Sequence, residues 1–270
     1  MDFHQIQVFI IETPASSRSN KLKQALQKDS RVCLHIIPAK MIRSALDLTE
    51  SGIQIHEGFL WALTNRFMSF PEIGCAYSHN TARGEVSRTK MGGVIFEDDA
   101  RIIDKDIFIE TVTTFLTKHQ NQSAMLSLTY SVHQESQAEH SSVRGIFKLL
   151  GDPPLAVAYA LTPLAAKRLL DANEPVRFVS DWSEAHIKKY CLFYPLVSHG
   201  DSETISIIDP SGSLARNDRH STLSINKLML LDFFFRARRN ISFSDYFKYV
   251  FLKPIRFRLD TFRMRLARRR

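Results

Sequence analysis

Cysteine is scarce. Cys33, Cys75 and Cys191 are the three in 270 residues, widely spaced and without a CxxC pair. That excludes a disulfide framework and a structural zinc site built on paired cysteines, and a reducing compartment is the simpler setting. Glycine and proline number ten each, too few for low-complexity or collagen-like sequence, and no internal repeat is found. The N-terminal apolar run "VFII" is far shorter than the roughly 20 residues of a membrane-spanning helix, and no basic leader with a small-residue cleavage site accompanies it. What is present is 44% hydrophobic and 24% charged, an ordinary globular balance. Chain length permits a full core and fits one large domain with an appendage better than two equal domains.

The net charge of +8 is unevenly placed. Residues 227–270 hold 13 Lys and Arg against Asp232, Asp245 and Asp260, a net +10, so residues 1–226 carry about −2. This divides the chain into a nearly neutral body, 1–226, and a basic tail, 227–270. The tail is also aromatic, with Phe243, Tyr246, Phe247, Val250 and Phe251 at helical spacing. Two readings stand side by side. A basic, aromatic amphipathic helix lies well in an anionic membrane interface, and the same helix can simply pack on a core with its arginines solvated. Nucleic acid is not expected as a partner, because no recognised binding motif accompanies the charge.

Along the body, strands are expected at 7–12, 32–37, 94–96, 124–130, 146–150 and 156–161. Helices are expected near 21–28, 71–88, 107–119 and 162–173. Ser69 and Glu72 stand in capping-box spacing with Pro71 in the first turn. The βαβ rhythm argues for an α/β domain on a parallel, doubly wound sheet.

In such a sheet ligands sit beyond the carboxyl ends of the strands. That is where "GGVIFEDDARI" (92–102) places Glu97, Asp98 and Asp99. Burying these charges unpaired would be costly. A hard divalent ion with oxygen ligands would neutralise them and could bridge a diphosphate. On an extended segment Glu97 and Asp99 would converge while Asp98 faces the other side. The alternative is a solvated turn in which Asp98 or Asp99 caps the next helix.

The block "EIGCAYSHNTARGEVSRTKMGGVIFEDDARI" resembles the central signature of glycosyltransferase family 25, the lipooligosaccharide-biosynthesis galactosyltransferase type. There a G-x-x-x-S-H helix, here Gly74, Ser78 and His79, precedes an apolar strand ending in E-D-D. "VFIIETPASSRSNKL", "AVAYALTPLAAKRLL" and "FVSDWSEAHIKKYCLFYPLVSHG" follow the family order, although "IET" replaces its usual Asn-Leu pair and His199 stands where glutamine is common. The resemblance implies a GT-A-like, Rossmann-like nucleotide-sugar domain at 1–226. It also implies metal-dependent inverting transfer of a hexose, typically galactose from UDP-galactose, to a lipooligosaccharide or other cell-surface glycan acceptor. On the family pattern Asp99 is the direct ligand of Mn2+ or Mg2+, with Glu97 a second or water-mediated one.

An inverting transfer needs a base on the face opposite the leaving nucleotide. Asp181 is the first candidate and Glu184 the second, with an N-cap as the structural alternative for Asp181. Trp182 is either a platform for a sugar ring or core. Arg18, Ser78, His79, Asp98 and Trp182 are the expected nucleotide-sugar contacts. His79 could equally be a satisfied core histidine and Arg18 a solvated one. His199 or His220 could serve as a late metal ligand. An acceptor of this type implies a cytoplasmic enzyme, peripheral on the inner face of a bacterial inner membrane. Two other classes compete: a metal-dependent phosphohydrolase, which would want a nucleophilic Asp where Glu12 and Thr13 stand, and a basic nucleic-acid adaptor working through the tail.

Overall fold

In a computed structural model that describes residues 5–56, 67–131, 139–140, 145–149, 156–180 and 187–200, the first apolar run forms β1 (Ile6–Glu12). Its side chains are buried on both faces, which is the environment of a central strand. A polar turn leads into α1 (Asn20–Gln27), then β2 (Val32–Pro38), whose mixed burial fits its place at the sheet edge. Next come α2 (Ala45–Ser51), α3 (Phe70–Arg88), β3 (Gly93–Glu97), β4 (Ala100–Ile102), α4 (Lys105–His119) and β5 (Ala124–Ser131). The short strands β6 (Glu139–His140) and β7 (Ile146–Leu149) precede β8 (Ala158–Leu161), α5 (Pro163–Ala172), β9 (Lys188–Leu192) and β10 (Val197–His199).

Eight strands form one sheet in the order β2-β1-β3-β8-β5-β9-β7-β6. The β2-β1-β3 part is parallel, as is β5 with β9. However, β8 runs antiparallel to both β3 and β5, and β7 is antiparallel to β9. The α/β class expected from the βαβ rhythm holds, while the parallel sheet expected with it is corrected to a mixed one. Parallel neighbours need a crossover of a dozen or more residues, usually a helix. After β5 the chain makes three strands before its next described helix, and β6 and β7 close as an antiparallel pair.

Period-two alternation divides the core. Val8 and Ile10 of β1, with Val94 and Phe96 of β3, face the cluster that includes Phe108, Val112 and Phe115 of α4. Phe9, Ile11 and Ile95 face Ala82 and Val86 of α3 and Ala165, Ala166 and Leu169 of α5. Helices thus cover both faces, in keeping with a Rossmann-like α/β domain.

Local signals work as the sequence implies. Ser69 and Glu72 make a reciprocal capping box on α3, with Pro71 in its first turn. Thr162 caps α5, accepting from the Ala165 N–H at 3.3 Å. The cap of α4 is Asp104, which accepts from the Ile107 N–H at 3.0 Å; Asp98 and Asp99 do not cap that helix. Gly92 sits at φ 99°, where a Cβ would lie 2.1 Å from the Leu161 carbonyl oxygen, so only glycine admits the close start of β3 beside the end of β8.

His119, at the end of α4, packs at a tilt against Phe115 and Tyr190, ring centroids 4.8 Å away in each case. Burial holds its imidazole below the ordinary histidine range; a hydrogen bond with Gln122 opposes this, and Lys118 and Lys188 add to it. The folded value lies below the unfolded one, so the folded chain resists the proton. The stability held at neutral pH is complete above the unfolded value and is lost as pH falls from there through the folded value. Thermal melts between about pH 7 and pH 5 should show His119→Gln losing less stability than wild type across that window; equal slopes would refute the assignment.

No helix among the described residues is long and apolar enough to cross a membrane. The tail, 227–270, and the boundary before it lie outside the described residues.

Candidate active site

The apolar ramp of β3 delivers Glu97 beside Ile11 at the carboxyl end of β1. Asp98 and Asp99 form the turn that follows, before β4 begins at Ala100. A cavity of about 370 Å³ opens here, lined by all three carboxylates, Arg18, His79 and His199. That volume lies within the range of small-molecule sites.

Arg18, brought in by the loop after β1, donates from Nη2 to Asp99 Oδ2 and lies 3.5 Å from Asp98 Oδ1 through Nη1. Asp98 is buried and also accepts from the Thr13 N–H at 3.2 Å. The expectation that Asp98 faces away from Glu97 and Asp99 is thus corrected. Extended geometry stops at Glu97, and the turn directs Asp98 back toward β1, where an N–H and a guanidinium satisfy it.

The β4–β10 ribbon pairs His199 with Ala100 and brings His199 Nε2 to 3.4 Å from Asp99 Oδ2. Two polar atoms are nevertheless left over. Asp99 Oδ1 and Arg18 Nε are buried without a hydrogen-bond partner among the described residues. Burial and the Glu97 charge push the Asp99 carboxyl up, with His199 and Arg18 opposing and Asp98 adding to the rise. For Glu97, burial pushes up, but the His79 hydrogen bond, with the charges of His79, His199 and Arg18, outweighs it and holds the carboxyl below its usual range.

His79 is fully buried and at the same time part of the cavity wall. Its Nδ1 lies 2.9 Å from the Tyr159 hydroxyl and its Nε2 3.1 Å from Glu97 Oε1. The two readings of this residue, core and cleft, therefore both hold. Cys75 joins it: one ligand-bearing atom each from Cys75, His79 and Glu97 lie within 4.8 Å of one another. Sequence spacing could have flagged Cys75 and His79 as an i, i+4 pair, but nothing local tied them to β3.

Gly74 and Ser78 have a shared task. The Ser78 hydroxyl accepts from the Lys40 N–H at 2.8 Å and donates to the Gly74 carbonyl at 2.7 Å. A Cβ on Gly74 would lie 2.3 Å from the Lys40 carbonyl oxygen. Together they seat segment 39–43, which forms one wall of the cavity. Ser78 thus acts on the site through this segment. Glu12 is held by the Ser19 hydroxyl and by Lys23 Nζ at 2.6 Å. A carboxylate so engaged at the end of β1 is unlike the free nucleophile a phosphohydrolase needs.

The structure thus brings together Arg18, Ser78, His79, Glu97, Asp98, Asp99 and His199. Asp181, Trp182, Glu184 and His220 lie outside the described residues. Ser180, directly before Asp181, is anchored on α3: its carbonyl accepts from Arg83 Nη2 at 3.0 Å, and its hydroxyl lies 3.5 Å from Cys75 Sγ.

Does the site suit a divalent cation? Asp99 Oδ1 is a hard, buried, unpartnered acceptor in a group of three carboxylates, and hard oxygen donors are what Mn2+ and Mg2+ require. Arg18 supplies an unpartnered donor in the same cavity. A metal-bound diphosphate carries the complement of both. The residues fit.

No curated protein matches the chain. The family model described as "Glycosyltransferase family 25 (LPS biosynthesis protein)" matches residues 5–183, a span that runs from β1 past α5 and contains Arg18, α3 and the acidic turn. The chain belongs to glycosyltransferase family 25 and is a glycosyltransferase.

Proposed function

We propose that this enzyme transfers a hexose, galactose from UDP-galactose, with inversion onto a lipooligosaccharide or related cell-surface glycan, assisted by Mn2+ or Mg2+. The observation that carries the reading is the pair of unsatisfied groups, Asp99 Oδ1 and Arg18 Nε, in one cavity at the carboxyl end of β3. Asp99 and Glu97 would hold the cation, which when bound neutralises diphosphate charge and stabilises the departing nucleotide. Arg18 offers a planar fork to the diphosphate while remaining tied to Asp98. Asp98 keeps the β1 loop and the acidic turn in register, and His79 orients Glu97.

In the transfer the acceptor oxygen forms a bond to the sugar C1 as the bond from C1 to the diphosphate oxygen breaks. The electron pair leaves on UDP and the acceptor proton goes to a base. Asp181 is assigned that proton, with Glu184 second and Trp182 as a stacking surface for the acceptor or donor sugar. Supporting this is the anchoring of its neighbour Ser180 beside Cys75 and Arg83, on the helix that carries His79.

A panel of UDP-sugars should show manganese-dependent hydrolysis, greatest with UDP-galactose and abolished by chelator. Absence of turnover with every UDP-sugar and metal would overturn the donor assignment. Asp181→Asn is expected to lose transfer to acceptor by about 10²-fold or more while UDP-sugar binding stays within about twofold, because a general base acts on the acceptor. Unchanged transfer would move the role to Glu184.

The acceptor class places the enzyme at the inner face of a bacterial inner membrane, and the tail supplies a means. Apolar burial at about 25 cal/mol per Å² combines with roughly 1 kcal/mol for each basic residue near anionic lipid. Full-length protein is expected to sediment with anionic vesicles, less so in high salt. A chain ending at Asn226 should stay in the supernatant and still turn over UDP-sugar. If the shortened chain unfolds, the tail is a packing arm; if the full chain ignores anionic vesicles at low salt, the membrane role is refuted.

A further inference from the structure

Cys75 and His79 stand four residues apart on α3, so their side chains leave the same face of the helix. Glu97 arrives at the same point from the tip of β3, with one ligand atom of each residue inside a 4.8 Å cluster. His79 is also braced from behind: its Nδ1 meets the Tyr159 hydroxyl at 2.9 Å while Nε2 faces Glu97 at 3.1 Å. A partner on the far ring nitrogen is what fixes the orientation and tautomer of metal-bound imidazoles. All three residues line the cavity, so ligands beyond these three can enter from it.

We propose that Cys75, His79 and Glu97 form a second cation site, for a thiophilic divalent ion of the zinc class, that shares Glu97 with the oxygen-lined centre at Asp99. Three protein ligands with an open position describe an accessible zinc site. A thiolate and an imidazole select zinc over magnesium or manganese, whereas Asp99 with its carboxylate neighbours selects the opposite way. On binding, the ion takes the place of the proton between His79 Nε2 and Glu97. The imidazole proton then resides on Nδ1, where the Tyr159 hydroxyl turns from donor to acceptor, and the Cys75 thiol releases its proton to solvent. Because Glu97 cannot serve both centres fully, zinc opposes the manganese-dependent reaction. That consequence rests on the transferase reading; the binding of the ion does not.

The test uses full-length, chelator-treated protein titrated with Co2+ alone, following thiolate-to-cobalt charge-transfer absorption, and then with Zn2+ in competition. One equivalent of cobalt should produce the band. Cys75→Ser should remove it and weaken zinc by more than about 100-fold, since even partners behind a ligand contribute 10–100-fold. Cys33→Ser and Asp99→Ala should retain it. If Cys75→Ser does not fold, as judged by circular dichroism, Glu97→Gln serves instead and should weaken zinc at least about tenfold. No thiolate band in wild type, or a band that survives Cys75→Ser, overturns the site. In a separate arm, zinc should inhibit manganese-dependent UDP-sugar hydrolysis by wild type more than by Cys75→Ser, and equal inhibition overturns the shared-ligand claim. A protein that hydrolyses no UDP-sugar refutes the donor assignment, while the cobalt titration still decides the site.

Discussion

Asp99→Ala is expected to abolish metal-dependent turnover of a UDP-sugar while leaving the chain folded. The lost group is a half-buried carboxylate whose buried Oδ1 has no partner among the described residues. Without it the diphosphate leaving group loses several kcal/mol of charge stabilisation, and each ~1.4 kcal/mol is a factor of ten in rate. A loss of about 10³-fold or more follows. Stability should move little. Asp99 is crowded by Glu97 and Asp98, so its removal relieves repulsion even as Arg18 gives up one partner, and Arg18 keeps Asp98. Initial rates with saturating manganese, read alongside a thermal melt, check both halves. Wild-type-like turnover would sink the metal assignment, and so would a loss of activity that merely tracks unfolding. Asp98→Asn is informative beside it: with Asp98 bound to Thr13 and Arg18, the expected effect is a displaced β1 loop, seen as a higher KM for the donor rather than an abolished kcat.

The second large effect is expected at Gly74→Ala, where two magnitudes compete. Helix propensity alone favours alanine over an interior glycine by about 1 kcal/mol. Against this, the new Cβ would stand 2.3 Å from the Lys40 carbonyl oxygen and 3.2 Å from the Ile42 nitrogen, both backbone atoms that no rotamer change can move. Overpacking of this kind costs about 1–3 kcal/mol or more, so the clash wins. Segment 39–43 must lift off α3, breaking the Lys40–Ser78 hydrogen bond and opening the cavity wall. A Tm drop of several degrees is expected, at about 2–4 °C per kcal/mol for a domain of this size, together with weaker UDP-sugar binding. Gly84→Ala on the same helix is the control: its Cβ would meet only Leu170 Cδ2 at 3.8 Å, an ordinary contact, so stability should hold or rise. Equal behaviour of the two variants would show that the 39–43 segment does not rest on Gly74.

Much of the fold was legible because its signals are short-ranged. The alternation of Val8 and Ile10 with Phe9 and Ile11 marks a strand buried on both sides before any partner is known. Ser69, Pro71 and Glu72 announce the start of α3 within four residues. Less legible were α2 and the β4–β10 ribbon, which are short and take their stability from pairing and packing rather than from pattern. The reversed β8 was hidden for a related reason: four apolar residues read as a strand in either direction, and its antiparallel place between β3 and β5 depends on the path the chain takes after β5.

By itself the sequence determined that the chain builds an α/β core, that three carboxylates end an apolar strand, and that positive charge collects in the last 44 residues, 227–270. These follow from residue type and spacing, which act over one helical turn or one strand. Tertiary structure alone decided what the carboxylates meet. Arg18 reaches Asp99 from 81 positions away, and His199 arrives on a separate ribbon. His79 comes from α3 to hold Glu97, while Asp98 turns back to Thr13. The physical reason is the cost of burying charge. Each carboxylate at this strand end needs a donor or cation, and strand order, not local sequence, brings such groups within reach.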